Sequence, residues 1–141
     1  MQKSLLTVEG VYKNLARIGD FVERFAVSAG FDERSVHALQ MAVDEACSNI
    51  IEHAYGGEGK GDIYLEFQQV ETGIKVTIRD RGEPFNPDIV PTPNIEAPLE
   101  ERGEGGLGLF LIRQLMDEVR FEFGGDGSER INTLILVKHL T

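Results

Sequence analysis

Three groups of residues in this 141-residue chain have types and spacings that could do chemistry. The first is Glu45, Asn49 and His53, spaced i, i+4, i+8 within Asp44-Glu45-Ala46-Cys47-Ser48-Asn49-Ile50-Ile51-Glu52-His53-Ala54-Tyr55. At about 100° per residue they share one stripe of a helix, and Ala38 and Ala42 continue the line toward its N-terminus. Asn is a poor residue for a helix interior, so its place here calls for a cause. Two readings stand. One is a solvated polar face. In the other, Asn49 offers a hard oxygen to a divalent ion such as Mg²⁺ and Glu45 is a general base one turn away. His53 reads as a packed or hydrogen-bonding residue near the helix end, or as a ligand or base. Cys47 lies on the apolar arc, as a core residue.

The second group is Asp80 with Gly82. In Ile74-Lys75-Val76-Thr77-Ile78-Arg79-Asp80, alternation puts Ile74, Val76, Ile78 and Asp80 on one face, so the carboxylate sits at the mouth of the core. There it needs a donor. Either Asp80 caps the turn Arg81-Gly82-Glu83-Pro84-Phe85, or it accepts a hydrogen bond from a ligand amine while Gly82 makes room for a flat ring. The third group, Gly103-Glu104-Gly105-Gly106-Leu107-Gly108, matches G-x-G-x-x-G literally. A dinucleotide-binding motif must follow a strand at once, whereas this one follows a proline-rich stretch. The P-loop pattern is absent too, since Lys60 is followed by Gly61. What remains is a glycine run with open backbone N–H groups at the start of a helix. That is an anion site or a flexible hinge.

The elements that must position these groups follow from periodicity and breakers. Residues 4 to 9 read as a short strand, and 11 to 29 carry Val11, Leu15, Ile18, Val22, Phe25 and Ala29 at helical spacing. Asp32 opens a second helix as N-cap, which Val36, Leu39, Val43, Ala46, Ile50 and Ala54 carry to the GGEGKG stop. Two alternating runs, Asp62 to Val70 and Ile74 to Asp80, join at Glu71-Thr72-Gly73 as a tight hairpin. All five prolines lie between Pro84 and Pro98, which makes residues 84 to 102 a long loop. Leu107 to Asp117 is helical, and Val119 to Phe123 with Ile131 to Val137 form a second hairpin. The expected fold is α+β, a two-layer sandwich with helices on one face of a mixed, mainly antiparallel sheet, in one domain over residues 1 to 141.

Composition narrows the function classes. With 41% hydrophobic and 27% charged residues the chain has enough apolar material for one core. A net charge of −10 argues against a nucleic-acid partner, which clustered Lys and Arg would serve. No run approaches a membrane span and the N-terminus has no signal-peptide core, so a soluble cytoplasmic protein is expected. The single cysteine excludes an intrachain disulfide and a cysteine-based zinc site.

Taken together, Glu45-x-x-x-Asn49 on a helix, Asp80-x-Gly82 after a strand, a long loop and then Gly103-x-Gly105-x-x-Gly108-Leu109 resemble the N, G1 and G2 boxes of the GHKL ATP-binding superfamily. Leu39 to Ala46, His53-Ala54-Tyr55 and Asp80-Arg81-Gly82-Glu83-Pro84-Phe85 are similar to the anti-sigma-factor serine/threonine kinases of the RsbW and SpoIIAB type. The resemblance implies a Bergerat-type ATP-binding fold and a Mg-ATP-dependent protein kinase. Such a kinase holds a sigma factor and phosphorylates a small STAS-type antagonist in a partner-switching system.

Residue by residue, Asn49 would hold Mg²⁺ and Glu45 would activate the attacking hydroxyl. Asp80 would accept the adenine amino group, Gly82 would pack under the ring, and Gly105, Gly106, Leu107 and Gly108 would cradle the phosphates, with 84 to 102 as the ATP lid. Thr133 matches the last-strand threonine that reaches the adenine site. Relatives of this type suggest a homodimer. Pro84 stands where many superfamily members carry glycine, which favours the anti-sigma branch. The loop before the glycine run is acidic, with Glu96, Glu100, Glu101 and Glu104, and offers only Arg102 as a cation, so which residue would neutralise charge on the transferred phosphoryl group stays open. Two other readings share the fold: a nucleotide-gated binding module with negligible turnover, and a stand-alone histidine-kinase-like ATPase domain. The chain is short for the latter to include a phosphoacceptor helix pair.

Overall fold

The computed structural model describes residues 1–84, 106–125 and 129–140. The expected lid at 84–102, apart from Pro84, and Gly103 to Gly105 lie outside the described residues. The strands are β1 (Lys3–Glu9), β2 (Asp62–Val70), β3 (Gly73–Asp80), β4 (Glu118–Gly124) and β5 (Ile131–His139). The helices are α1 (Asn14–Ser28), α2 (Glu33–Asn49) and α3 (Gly106–Leu115), and a π-helical turn, Ile50–Ala54, extends α2.

The five strands form one sheet in the order β1-β2-β3-β5-β4. All four ladders are antiparallel, so the parallel component that a mixed sheet allowed for does not occur among the described strands. The β2–β3 register pairs Val70 with Gly73, which confines the hairpin turn to Glu71 and Thr72. After α3 the chain enters at the sheet edge as β4 and returns inward as β5, so β5 lies beside β3 and pairs Asp80 with Asn132.

Strand alternation sends Leu6, Val8, Ile63, Leu65, Phe67, Ile74, Val76, Ile78, Leu134 and Leu136 to the helix side, where all are buried. The helices close this face with Ile18 and Val22 of α1, Leu39 and Val43 of α2, and Ile112 of α3. Phe67 fixes the α1 contact, with ring centroids 4.9 Å from Phe21 and 5.8 Å from Phe25. Asp32 caps α2 as expected: its Oδ1 accepts from the Ser35 N–H at 2.8 Å. Cys47 is buried in the core, and burial pushes its thiol pKa up. No helix among the described residues is long and apolar enough to cross a membrane.

A candidate nucleotide-binding site

The helix that carries the polar stripe does not run regularly to its end. From Ile50 it widens into a π-turn in which the Tyr55 N–H bonds the Ile50 carbonyl at 2.9 Å, an i to i−5 bond. The widened turn leaves the Ala54 carbonyl open to accept from the Glu83 N–H at 2.8 Å. Tyr55 secures the same junction: its hydroxyl donates to the Asp62 carbonyl at 2.6 Å and accepts from the Arg81 N–H at 3.0 Å. The end of α2 is thereby tied to the start of β2 and to the segment leaving β3.

Gly82 has a cause the sequence did not show. A Cβ there would overlap the backbone carbonyl and the Cβ of Ala54, so any side chain would drive the β3 exit off the π-turn. The space under Gly82 on that side is filled by protein.

Asp80 is 5% exposed at the end of β3, and two donors converge on its Oδ1: the Gly82 N–H at 2.8 Å and Asn132 Nδ2 at 2.9 Å. Asn132 Nδ2 also donates to the Gly82 carbonyl at 2.8 Å. Asp80 thus caps its turn, and its Oδ2 takes no hydrogen bond among the described residues. Burial raises the Asp80 pKa above the ordinary carboxylate value, and the Asn132 and Gly82 bonds offset part of that rise. Arg130 closes the outer side, pairing with Glu83 at 3.0 Å.

Thr133 is not the residue beside Asp80. It pairs with Arg79 in the ladder, while Asn132 pairs with Asp80. Because side chains alternate along a strand, the Thr133 side chain belongs to the face opposite the helices. It lines the cavity next to Asn132. The sequence reading named Thr133, which lines the cavity, and did not single out Asn132, which lines it too and bonds Asp80; the one available signal was a polar residue near the start of an otherwise apolar strand.

A cavity of about 270 Å³ lies between α2, its π-turn, α3 and the sheet. Its walls are mostly apolar, with Ala46, Ile50, Leu109, Ile112, Phe121 and Leu134 among them, and Asp80 and Asn132 border one part of it. Asn49 and His53 also line it, whereas Glu45 does not. Glu45 stands one turn back, where α3 crosses α2. A Cβ on Gly108 would come within 3.0 Å of Glu45 Oε2 and 3.1 Å of Asn49 Nδ2. Gly108, in the first turn of α3, therefore rests on the carboxylate and the amide predicted to act together.

Burial is the first cause of a raised Glu45 pKa, and the negative charges of Asp44 and Glu52 add to it. A raised pKa suits a proton acceptor better than an ordinary carboxylate. His53 is part exposed, 3.7 Å from Glu52. Of the glycine run, Gly106 and Leu107 open α3 and Gly105 lies outside the described residues.

The donor set fits a magnesium ion that keeps most of its own water. Asn49 lines the cavity and could offer one amide oxygen, with Glu45 one turn away, and no group of three or more His, Cys, Asp or Glu side chains forms a cage among the described residues. The arrangement as a whole can hold a flat ring with a donor edge toward Asp80 and an anion toward the α3 N-terminus.

The chain is 40% identical over 95 residues to the serine-protein kinase RsbW of Oceanobacillus iheyensis, a match covering 64% of this chain and 60% of that protein. It is 35% identical over 119 residues to the serine-protein kinase RsbW of Listeria innocua, covering 79% and 73%. The match thus spans about three fifths of the first of these relatives. Among solved structures, that of the RsbU and RsbW domains of Rv1364c from Mycobacterium tuberculosis superposes with a TM-score of 0.67 at 17% identity. It covers all of this chain and 35% of that one, and shows the same fold. Residues 10–138 match the histidine kinase-like ATPase domain, and the chain belongs to that family.

Proposed function

We propose that the protein is a Mg-ATP-dependent serine/threonine protein kinase that acts as an anti-sigma factor, phosphorylating a small STAS-type antagonist and releasing or holding a sigma factor accordingly. The observation that carries the reading is the pairing of two ends of one site. A buried carboxylate faces an apolar cavity at one end, and Glu45 and Asn49 pack on Gly108, in the first turn of α3, at the other. Likeness to RsbW kinases supports the choice of phosphoryl acceptor.

Phosphoryl transfer depends mainly on positioning and charge stabilisation. Asp80 orients the base by accepting from its amine, and the α3 N-terminus with Gly106, Leu107 and Gly108 directs N–H groups at the phosphates. Asn49 would hold Mg²⁺, which when bound would supply positive charge to the phosphates. Glu45 takes the proton of the attacking hydroxyl. Transfer of labelled phosphate from ATP to a cognate antagonist is the direct test, with Glu45→Gln as control. Transfer should need Mg²⁺ and fall by about 10²–10⁴ in the variant. Undiminished transfer by Glu45→Gln would remove Glu45 as the base, and ATP affinity unchanged in EDTA would remove the metal.

A further inference from the structure

The cavity proposed to hold a triphosphate has no Lys or Arg on its described wall; its ionisable lining residues are His53, Asp80 and Glu83. Asp80 is buried and bonded to Gly82 and Asn132. Glu83, with its side chain 77% exposed, is the carboxylate of that wall open to solvent. A second cavity adjoins the first, and Glu83, Pro84, Phe123 and Asn132 line both. Arg130 lines only the second. Its Nη1 lies 3.0 Å from Glu83 Oε2 and donates to the Gly82 carbonyl at 3.4 Å. The guanidinium thus stands where the two cavities meet, against a carboxylate they share.

Stability does not account for this pair. An ion pair with one partner so exposed contributes little to folding. The turn that carries Glu83 is also held without it, by the Glu83 N–H on the Ala54 carbonyl, the Arg81 N–H on the Tyr55 hydroxyl and Asn132 on the Gly82 carbonyl. What the guanidinium adds is positive charge beside a negative group on the wall of a cavity that must admit an anion. The chain as a whole, at −10, repels one.

Resting on the proposed nucleotide site, we infer that Arg130 is a charge-compensating residue of that site. It acts through Glu83: the pairing cancels the repulsion between this carboxylate and the ligand phosphates, and no contact between Arg130 and the nucleotide is required. Compensation has a sign that a structural tether lacks. Loss of the Arg130 charge uncovers a negative group and weakens binding, whereas loss of the Glu83 charge leaves a positive one and strengthens it. Both effects grow with the charge of the ligand and fade as salt shortens the reach of the field.

The experiment titrates wild type, Arg130→Gln, Glu83→Gln, the double variant and Arg130→Lys calorimetrically with Mg-ATP and Mg-ADP, which carry about two and one net negative charges. The ionic strength is about 10 mM, where the screening length is about 30 Å. Arg130→Gln should bind Mg-ATP about fivefold and Mg-ADP about twofold more weakly than wild type, the effect of a unit charge roughly 9 Å from the ligand charge in water. Glu83→Gln should bind Mg-ATP about fivefold more tightly, and the double variant and Arg130→Lys should stay within about twofold of wild type. At about 1 M salt all five proteins should agree within about twofold. Each variant should melt within a few degrees of wild type, and if Arg130→Gln fails to fold, the sign of the Glu83→Gln effect decides alone. Unchanged binding by Arg130→Gln, equal weakening toward both nucleotides, weakening by Glu83→Gln, or differences that survive 1 M salt would overturn the inference, while the nucleotide site itself would stand. Failure of wild type to bind either nucleotide would overturn the proposed function and this inference with it.

Discussion

The substitution Asp80→Asn should separate folding from binding. The amide oxygen it introduces can still accept from the Gly82 N–H and Asn132 Nδ2, which lie 2.8 and 2.9 Å from Asp80 Oδ1, so the turn keeps its cap. What changes is the other atom, where an acceptor becomes a donor facing the ligand amine. Burial raises the folded-state pKa of Asp80. For a carboxylate raised in this way, stability present at low pH is lost as pH rises from the unfolded value through the folded one. At neutral pH the ionised group therefore costs stability, and Asp80→Asn without nucleotide should melt at or above the wild-type temperature, with its acid-range pH dependence flattened.

Binding should respond in the opposite direction. A hydrogen bond to a charged acceptor contributes about 1.5–3 kcal/mol, and a loss of about 2 kcal/mol is roughly a 30-fold rise in Kd. At an ATP concentration near 100 times the wild-type Kd, the ligand stabilises the fold by about 2.7 kcal/mol, and the variant by only about 0.9. For a domain of this size that is a thermal shift of about 10 °C reduced to about 3 °C. Differential scanning fluorimetry with and without Mg-ATP reads both effects. A ligand-free variant that melts several degrees below wild type, or one that keeps the full ATP shift, would refute the reasoning.

Other residues give sharper contrasts. Gly82→Ala forces a methyl group onto the Ala54 carbonyl, where backbone must move, and should cost about 1–3 kcal/mol in urea unfolding; an unchanged midpoint would mean the junction yields freely. Gly108→Ala meets only the ends of the Glu45 and Asn49 side chains, at 3.0 and 3.1 Å, which can shift. Its melting temperature should stay within a few degrees of wild type because alanine also favours the helix, while phosphoryl transfer drops about tenfold or more. Equal transfer rates would show that this contact does not set the catalytic geometry. Because burial and the charges of Asp44 and Glu52 raise the Glu45 pKa, the acid limb of the transfer rate should lie above the ordinary carboxylate range. Asp44→Asn should move that limb to lower pH, and a limb that does not move would assign the titration to another group.

The local elements were legible in the sequence because their causes are local. The Asp32 cap, the apolar rows of α1 and α2 and the alternation in β3 each depend on residues within a few positions of one another, and each appears at the expected place. Alternation alone also put Asp80 on the buried face. Contacts made across the chain were not legible. Thr133 and Asn132 are neighbours of similar polarity, and which one stands beside Asp80 is decided by a register with a strand about fifty residues away. A one-residue difference in register moves a side chain to the other face of the sheet.

By itself the sequence determined the identity and order of the chemical groups, the periods of the helices and strands that carry them, and an acid excess that argues against a nucleic-acid partner. The tertiary structure decided which groups meet. It set Gly108 on Glu45 and Asn49, widened the end of α2 so that the Ala54 carbonyl receives the Glu83 N–H and packs on Gly82, and brought the Asn132 amide to Asp80. Spacing along a chain constrains neighbours a few residues apart through backbone geometry. Contact between residues dozens of positions apart is fixed only when the sheet and helices pack around one core.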